Sequence, residues 1–219
     1  MNNLLGAWQY VLQNWGTWSG ALVRQLEYLL ALPIAMVICI PLGILAARSR
    51  AVSFAALNLF GAARAIPSIA ILFLAIPVLP LLGLGLSGFG FLPVLIALVI
   101  LACPPILVNT AAGYQGVDAA VIEAARGMGM GRWQVLRNIE TPLALPIVMA
   151  GVRTATLEVI ASATLATFIG GGGFGDIITQ GLANSTINVL LAGALPVALL
   201  ALGAEALFSG LQRVISPPI

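Results

Sequence analysis

The sequence predicts an all-α integral membrane protein with five membrane-crossing helices, and three observations carry that prediction. Hydrophobic residues make up 61% of its 219 positions and charged residues 7%, where soluble domains run about 45–50% apolar and about 25% charged. The stretches between Glu27 and Arg48 and from Ala65 to Val117 contain no charge at all. Of the nine basic and seven acidic side chains, six gather in one short segment, Asp118–Glu140, as if the rest of the chain had no water to offer them.

A crossing helix needs about 20 mostly apolar residues. The first charge-free stretch accommodates one span at 26–47. The second is too long for one, and Pro80, Gly83, Gly85, Gly88 and Gly90 break it with a loop near 80–90. Spans at 57–79 and 91–113 follow. A fourth runs from Pro142 to Ile169, carrying Arg153 and Glu158 inside it, and a fifth covers 189–211. Pro33, Pro41, Pro67, Pro77, Pro104, Pro105, Pro146 and Pro196 lie in or at the ends of these spans, where neighbouring helices satisfy the carbonyls that proline frees.

Arginine placement sets the orientation, because cytoplasmic loops carry the basic excess. Arg48 and Arg50, then Arg126, Arg132 and Arg137, then Arg213 fall on one side of a five-span chain, and Arg24 on the other. The C-terminus and the 114–141 loop are therefore expected in the cytoplasm and the N-terminus outside, in a multi-pass cell-membrane protein. The N-terminus lacks a basic n-region, so the spans themselves are expected to direct insertion. Leu4, Leu5, Trp8, Val11, Leu12 and Trp15 recur at helical spacing, and indoles favour the headgroup level. Residues 1–20 thus read as a helix on the outer membrane face, residues 21–213 as the transmembrane domain and 214–219 as a tail.

Composition also excludes chemistry. The chain has no histidine, and every basic residue is arginine. That removes a Ser-His-Asp triad, imidazole-ligated metal and a Schiff-base lysine, and it removes the lysine of a Walker A loop. No catalytic residue, metal site or bound cofactor is expected. Cys39 and Cys103 sit in apolar runs without metal spacing and read as buried small hydrophobes. A net charge of +2 offers nothing to nucleic acid.

The 114–141 loop is more than a polar connector. Asp118–Arg126 is rich in helix formers, Gly127, Gly129 and Gly131 interrupt, and Trp133, Leu136 and Arg137 resume a helical pattern. Small residues at Ala119, Ala120, Ala124 and Ala125 let another surface come close, and Gly129 can supply a positive φ. This helix–turn–helix reads as a docking element for a cytoplasmic partner, with a helix pair lying on lipid as the alternative.

Glu123-Ala124-Ala125, three residues, Gly129, nine residues, Ile139 and Pro142 resemble the EAA loop of ABC-importer permeases, with Thr141 in place of the usual leucine. The resemblance extends over about residues 20–212. Arg64–Ser68, Pro142–Arg153 and Phe168–Asp176 resemble osmoprotectant-uptake permeases, which handle glycine betaine, choline, carnitine or proline betaine; Gly171 and Phe174 depart from that pattern. Methionine-type permeases are the nearest rival, and an ion-coupled carrier or channel subunit is a further alternative. The resemblance implies a type I importer permease fold, with the loop as a coupling helix pair. It implies a second permease chain, two cytoplasmic ATPase subunits that hold the ATP and magnesium, and an external solute-binding protein. It places ATPase coupling at Glu123, Ala124, Ala125, Gly129, Arg132 and Trp133.

Charged groups inside the spans are the candidates for a solute route or gate. An arginine at mid-membrane costs roughly 2.5–3.5 kcal/mol on insertion scales, so Arg153 and Glu158 need partners or water. Being five residues apart they are poorly placed to pair with each other. With Thr156 and Arg64 they either line a pathway or brace the bundle. Gly170, Gly171, Gly172, Gly173 and Asp176 fall outside the membrane in this topology. They are candidates for binding-protein docking or an outer constriction, with a flexible connector as the alternative.

Overall fold

The computed structural model describes residues 2–49, 66–81, 83 and 87–215. Every regular element among them is helical: α1 (Asn2–Gln13), α2 (Trp15–Glu27), α3 (Ala31–Ala47), α4 (Ser68–Leu81), α5 (Phe91–Gln115), α6 (Ala119–Gly127), α7 (Arg132–Val135), α8 (Thr141–Ala163), α9 (Phe174–Ala183) and α10 (Ile187–Ile215). Four runs among the described residues are long and apolar enough to cross a membrane: Trp15–Ala47, Phe91–Gln115, Arg132–Ile169 and Ile187–Arg213. Ser68–Leu81 is apolar but shorter; the first part of the span expected at 57–79 lies outside the described residues.

The core forms where α5 packs between α3 and α8. Small residues permit that approach. A Cβ on Gly43 would stand 2.6 Å from Thr110 Cβ, and one on Gly151 would stand 2.7 Å from the Pro105 carbonyl. In lipid such close backbone packing replaces the hydrophobic drive that water would supply. Leu98, Ile106, Val152, Ala155 and Val159 fill the seam. Helix α10 packs on α8 and α9, and α1 lies along α10.

At three places the structure adds local detail that the sequence does not announce. Residue 20 falls inside α2, which continues through a 3-10 turn at Tyr28–Leu30 into α3. No residue before Pro33 breaks the helix, and Pro33 only denies its N–H to the Leu29 carbonyl and tightens the turn there. On helix α1, Ala7 and Val11 are buried within the chain, while Trp8 and Trp15 stay exposed. Trp18 packs edge-on against Phe174 and donates its indole N–H to the Ala192 carbonyl. The second half of the 114–141 loop is not a separate helix but the foot of the fourth span. Helix α7 passes through a π turn at Leu136–Glu140 directly into α8. Pro142 cannot donate to the ladder, and a π turn accommodates that loss. Thr141, the departure from the EAA pattern, donates its hydroxyl to the Leu136 carbonyl at 2.7 Å and accepts from the Tyr114 hydroxyl at 2.8 Å. A leucine could do neither.

Candidate functional site

The candidate coupling element is built from its caps outward. Asp118 caps α6 by accepting the Ala120 N–H at 2.9 Å. At the other end Gly129 has φ +87°, Gly129 N–H donates to the Arg126 carbonyl and Met130 N–H to the Ala125 carbonyl. This is a Schellman stop, in which a left-handed residue satisfies the last carbonyls of a helix. Gln134 then accepts the Gly131 N–H at 2.8 Å and starts α7. Ala125 is buried, whereas Glu123, Ala124, Gly129, Arg132 and Trp133 are exposed. Trp133 is 70% exposed and Met128 71%. Val121 is exposed on the same loop, so three of its apolar side chains are left uncovered by the chain itself.

A clamp ties this element to the first span. Arg48, just past α3, donates from Nη1 and Nη2 to the two carboxylate oxygens of Glu140 at 3.1 and 2.5 Å. Glu140 is buried. The bidentate geometry fixes direction as well as distance. Beside it a cavity of about 450 Å³ is lined by Arg48, Arg126, Arg132, Trp133 and Glu140 among others.

The charged groups of α8 part company. Arg153 pairs with Glu205 of α10 and also donates to Gln212 Oε1 at 3.1 Å. That is the geometry of a brace between two spans. Thr156 is buried and donates to the Val152 carbonyl at 2.8 Å. Glu158 faces the other way and lines a separate cavity between α4, α5 and α8. Arg64 lies outside the described residues. The brace predicts a reciprocal effect. Glu205→Gln or Arg153→Met alone should lower the thermal stability of the purified complex by about 1–2 kcal/mol, and the swap of both charges should restore most of it. If the swapped protein stays as unstable as the single variants, the brace carries no weight.

The glycine stretch is a packed corner, not a loose connector. Thr164–Ile169 is a 3-10 turn closed by Gly170 at φ +70°. Gly171 N–H donates to the Ala166 carbonyl at 2.8 Å, and its own carbonyl accepts the Tyr28 hydroxyl at 2.5 Å. Tyr28 is fully buried and stacks on Phe91, over whose ring Arg24 sits at 4.9 Å from the centroid. Gly90 N–H reaches the Ile169 carbonyl at 2.8 Å. Gly171 and Gly173 are buried, Gly172 is half-buried, and Gly170 and Asp176 remain exposed. Sequence reasoning missed Tyr28, Glu140, Glu205 and Gln212. Glu205 did carry a signal, since it is the one charge expected within 189–211.

Comparison with known proteins agrees with this architecture. Residues 39–219 match the family described as binding-protein-dependent transport system inner membrane component. The carnitine transport permease protein OpuCB of Listeria monocytogenes is 41% identical over 92% of this chain and 87% of its own length. The osmoprotectant import permease protein OsmW of Salmonella typhimurium is 37% identical over 95% and 96%. A chain of the MetNI methionine ABC transporter, solved in inward-facing conformations, superposes with a TM-score of 0.77 at 22% identity, covering 92% of this chain and 97% of that one. At that identity the likeness is one of fold. The match over most of the chain and the level of identity place this protein in the family of binding-protein-dependent transport system inner membrane components.

Proposed function

We propose that this chain is the five-span permease subunit of an ATP-driven importer of osmoprotectants that carry a methylated ammonium group, such as glycine betaine, choline, carnitine or proline betaine. The observation that carries the reading is the exposed helix–Gly129–helix element continuous with a membrane span. The printed names of the relatives supply the solute class: carnitine for OpuCB, osmoprotectants for OsmW.

In this reading two permease chains share one pathway. Two ATPase subunits hold ATP and magnesium and grip Glu123–Gly131 from the cytoplasm, with Arg132 and Trp133 at the edge of the contact. An external binding protein delivers solute at the corner formed by Gly170 and Asp176. The N-terminus is outside and the C-terminus inside. ATP-driven closure of the ATPases moves α6. Because α7, the π turn and α8 are one helical run, and because Arg48 holds Glu140, the movement is passed to the first and fourth spans together. Access alternates from one side to the other, and hydrolysis resets it. This chain breaks and makes no covalent bond.

Reconstitution tests the whole reading. Proteoliposomes holding the permease and its ATPase should accumulate labelled betaine, choline or carnitine only with ATP on the ATPase side and the binding protein on the other. Accumulation driven by a proton or sodium gradient without ATP would sink the proposal.

A further inference from the structure

Three arginines meet where two spans end. The cavity of about 450 Å³ beside the clamp is lined by Arg48, Arg126 and Arg132, and Glu140 is the one acid among the described residues of its wall. Three guanidiniums against one carboxylate leave that wall positive. Arg48 uses Nη1 and Nη2 on Glu140. Arg126 and Arg132 are exposed, and neither is in an ion pair among the described residues. A guanidinium carries five N–H donors in a planar fork that matches a phosphate or a carboxylate. Trp133 and Leu136 lie in the same wall, so the charged groups stand beside hydrocarbon.

The place of the cavity selects among anions. Arg48 directly follows the run Trp15–Ala47, and Glu140 precedes the apolar residues of α8 in the run Arg132–Ile169; both runs are long and apolar enough to cross a membrane. Leu45, one turn before Arg48, and Leu143, one turn after Glu140, are exposed. In a bilayer their cover is lipid. A phospholipid whose chains lie on Leu45 and Leu143 brings its phosphate to the level of the arginines. A carboxylate on a soluble partner would match the guanidiniums equally well, but it has no chain to lay on those leucines. Choline and ethanolamine head groups would set a cation of their own among three arginines, where like charges repel. A head group of net negative charge avoids that cost. Basic pockets at the ends of membrane helices bind such head groups.

We propose that Arg48, Arg126 and Arg132 form a site for the phosphate of a net-anionic phospholipid, which ties the end of α3 to α6 and α7. The site goes beyond the importer reading, since it requires only two spans and the cavity between their ends. Radiolabelled dioleoylphosphatidylglycerol is titrated, by mole fraction in mixed micelles, onto the detergent-purified complex of the permease with its ATPase. Saturable binding is expected, roughly tenfold tighter than that of dioleoylphosphatidylcholine. Arg126→Gln and Arg132→Gln should each weaken it about fivefold, the effect of one basic residue at an anionic lipid. Arg137 is exposed on the same loop but outside the cavity wall. Arg137→Gln should therefore leave binding unchanged, which separates a built site from general attraction to a basic surface. Coelution of the ATPase shows that each variant has folded; if Arg132→Gln loses the ATPase, Arg126→Gln alone decides. Equal binding of the two lipids, no loss in Arg126→Gln, or an equal loss in Arg137→Gln overturns the site. Saturable, Arg126-dependent binding of inorganic phosphate that displaces the lipid overturns it too, by making free phosphate the ligand. So does lipid binding that appears only once the ATPase is removed, which would give the arginines to an acidic partner.

Discussion

Gly129→Val is expected to reduce ATP-driven uptake tenfold or more while the chain still inserts and still binds its ATPase. Gly129 holds φ +87°, and a Cβ there would meet no atom within 4 Å. The defect is therefore conformational, not steric crowding. A left-handed backbone costs an L-residue about 1–2 kcal/mol, and a β-branched side chain is a genuine outlier in that region. Valine would relax the turn, release the Gly129 and Met130 N–H bonds to the Arg126 and Ala125 carbonyls, and change the angle between α6 and α7. ATP hydrolysis should continue while solute movement fails. Gly129→Asn, which tolerates positive φ, should retain most uptake. Measured in proteoliposomes side by side, equal uptake by Gly129→Val and the native protein would remove the turn from the coupling path.

Gly175→Val is expected to have the largest effect on stability. A Cβ at Gly175 would lie 2.0 Å from the Thr164 carbonyl oxygen and 3.2 Å from Thr167 Cβ. The obstacle is backbone, which cannot swing aside as the end of a side chain can. Forcing the contact must push α9 off the 3-10 turn. Overpacking costs typically 1–3 kcal/mol and occasionally more, and here the upper end, about 3 kcal/mol, is expected. Tm of the purified complex and its yield from membranes should both fall. Gly203→Ala is the control, since a Cβ there meets nothing within 4 Å. Equal Tm values for the two variants would show that α9 does not rest on Thr164.

What the sequence discloses depends on whether a signal is local. The spans at 91–113, 142–169 and 189–211 are legible because length and the absence of charge are properties of contiguous residues, and the structure places α5, α8 with its 3-10 turn, and α10 there. The stop at Gly129 is legible for the same reason, as glycines between two helical patterns. The Arg153–Glu205 pair is half legible: an arginine within one span demands an acid, the five-residue spacing argues against Glu158, and the next span holds Glu205, but only packing shows that the two meet. The Tyr28 contact with Gly171 spans 143 residues and no pattern in either segment announces it. The fusion of α7 to α8 is hidden for a different reason. Pro142 reads as a helix start, and nothing in the residues declares that a π turn bonded by Thr141 carries the helix through it.

That fusion makes Arg132–Ile169 a single run of 38 residues. At 1.5 Å per residue it is about 57 Å long, nearly twice the hydrocarbon thickness of about 30 Å. In the importer reading it acts as a lever with its fulcrum in the bilayer. A tilt of 10° displaces each end by roughly 5 Å in opposite directions, on the length just given. One end carries Trp133 and the loop; the other ends at the Gly170 corner, held by Tyr28. Work done at either end is felt at the other, and linkage requires the two effects to be equal in free energy. In the importer reading, a binding protein seated at the Gly170 corner would thus bias the ATPase at the Trp133 end by as much as that ATPase biases it.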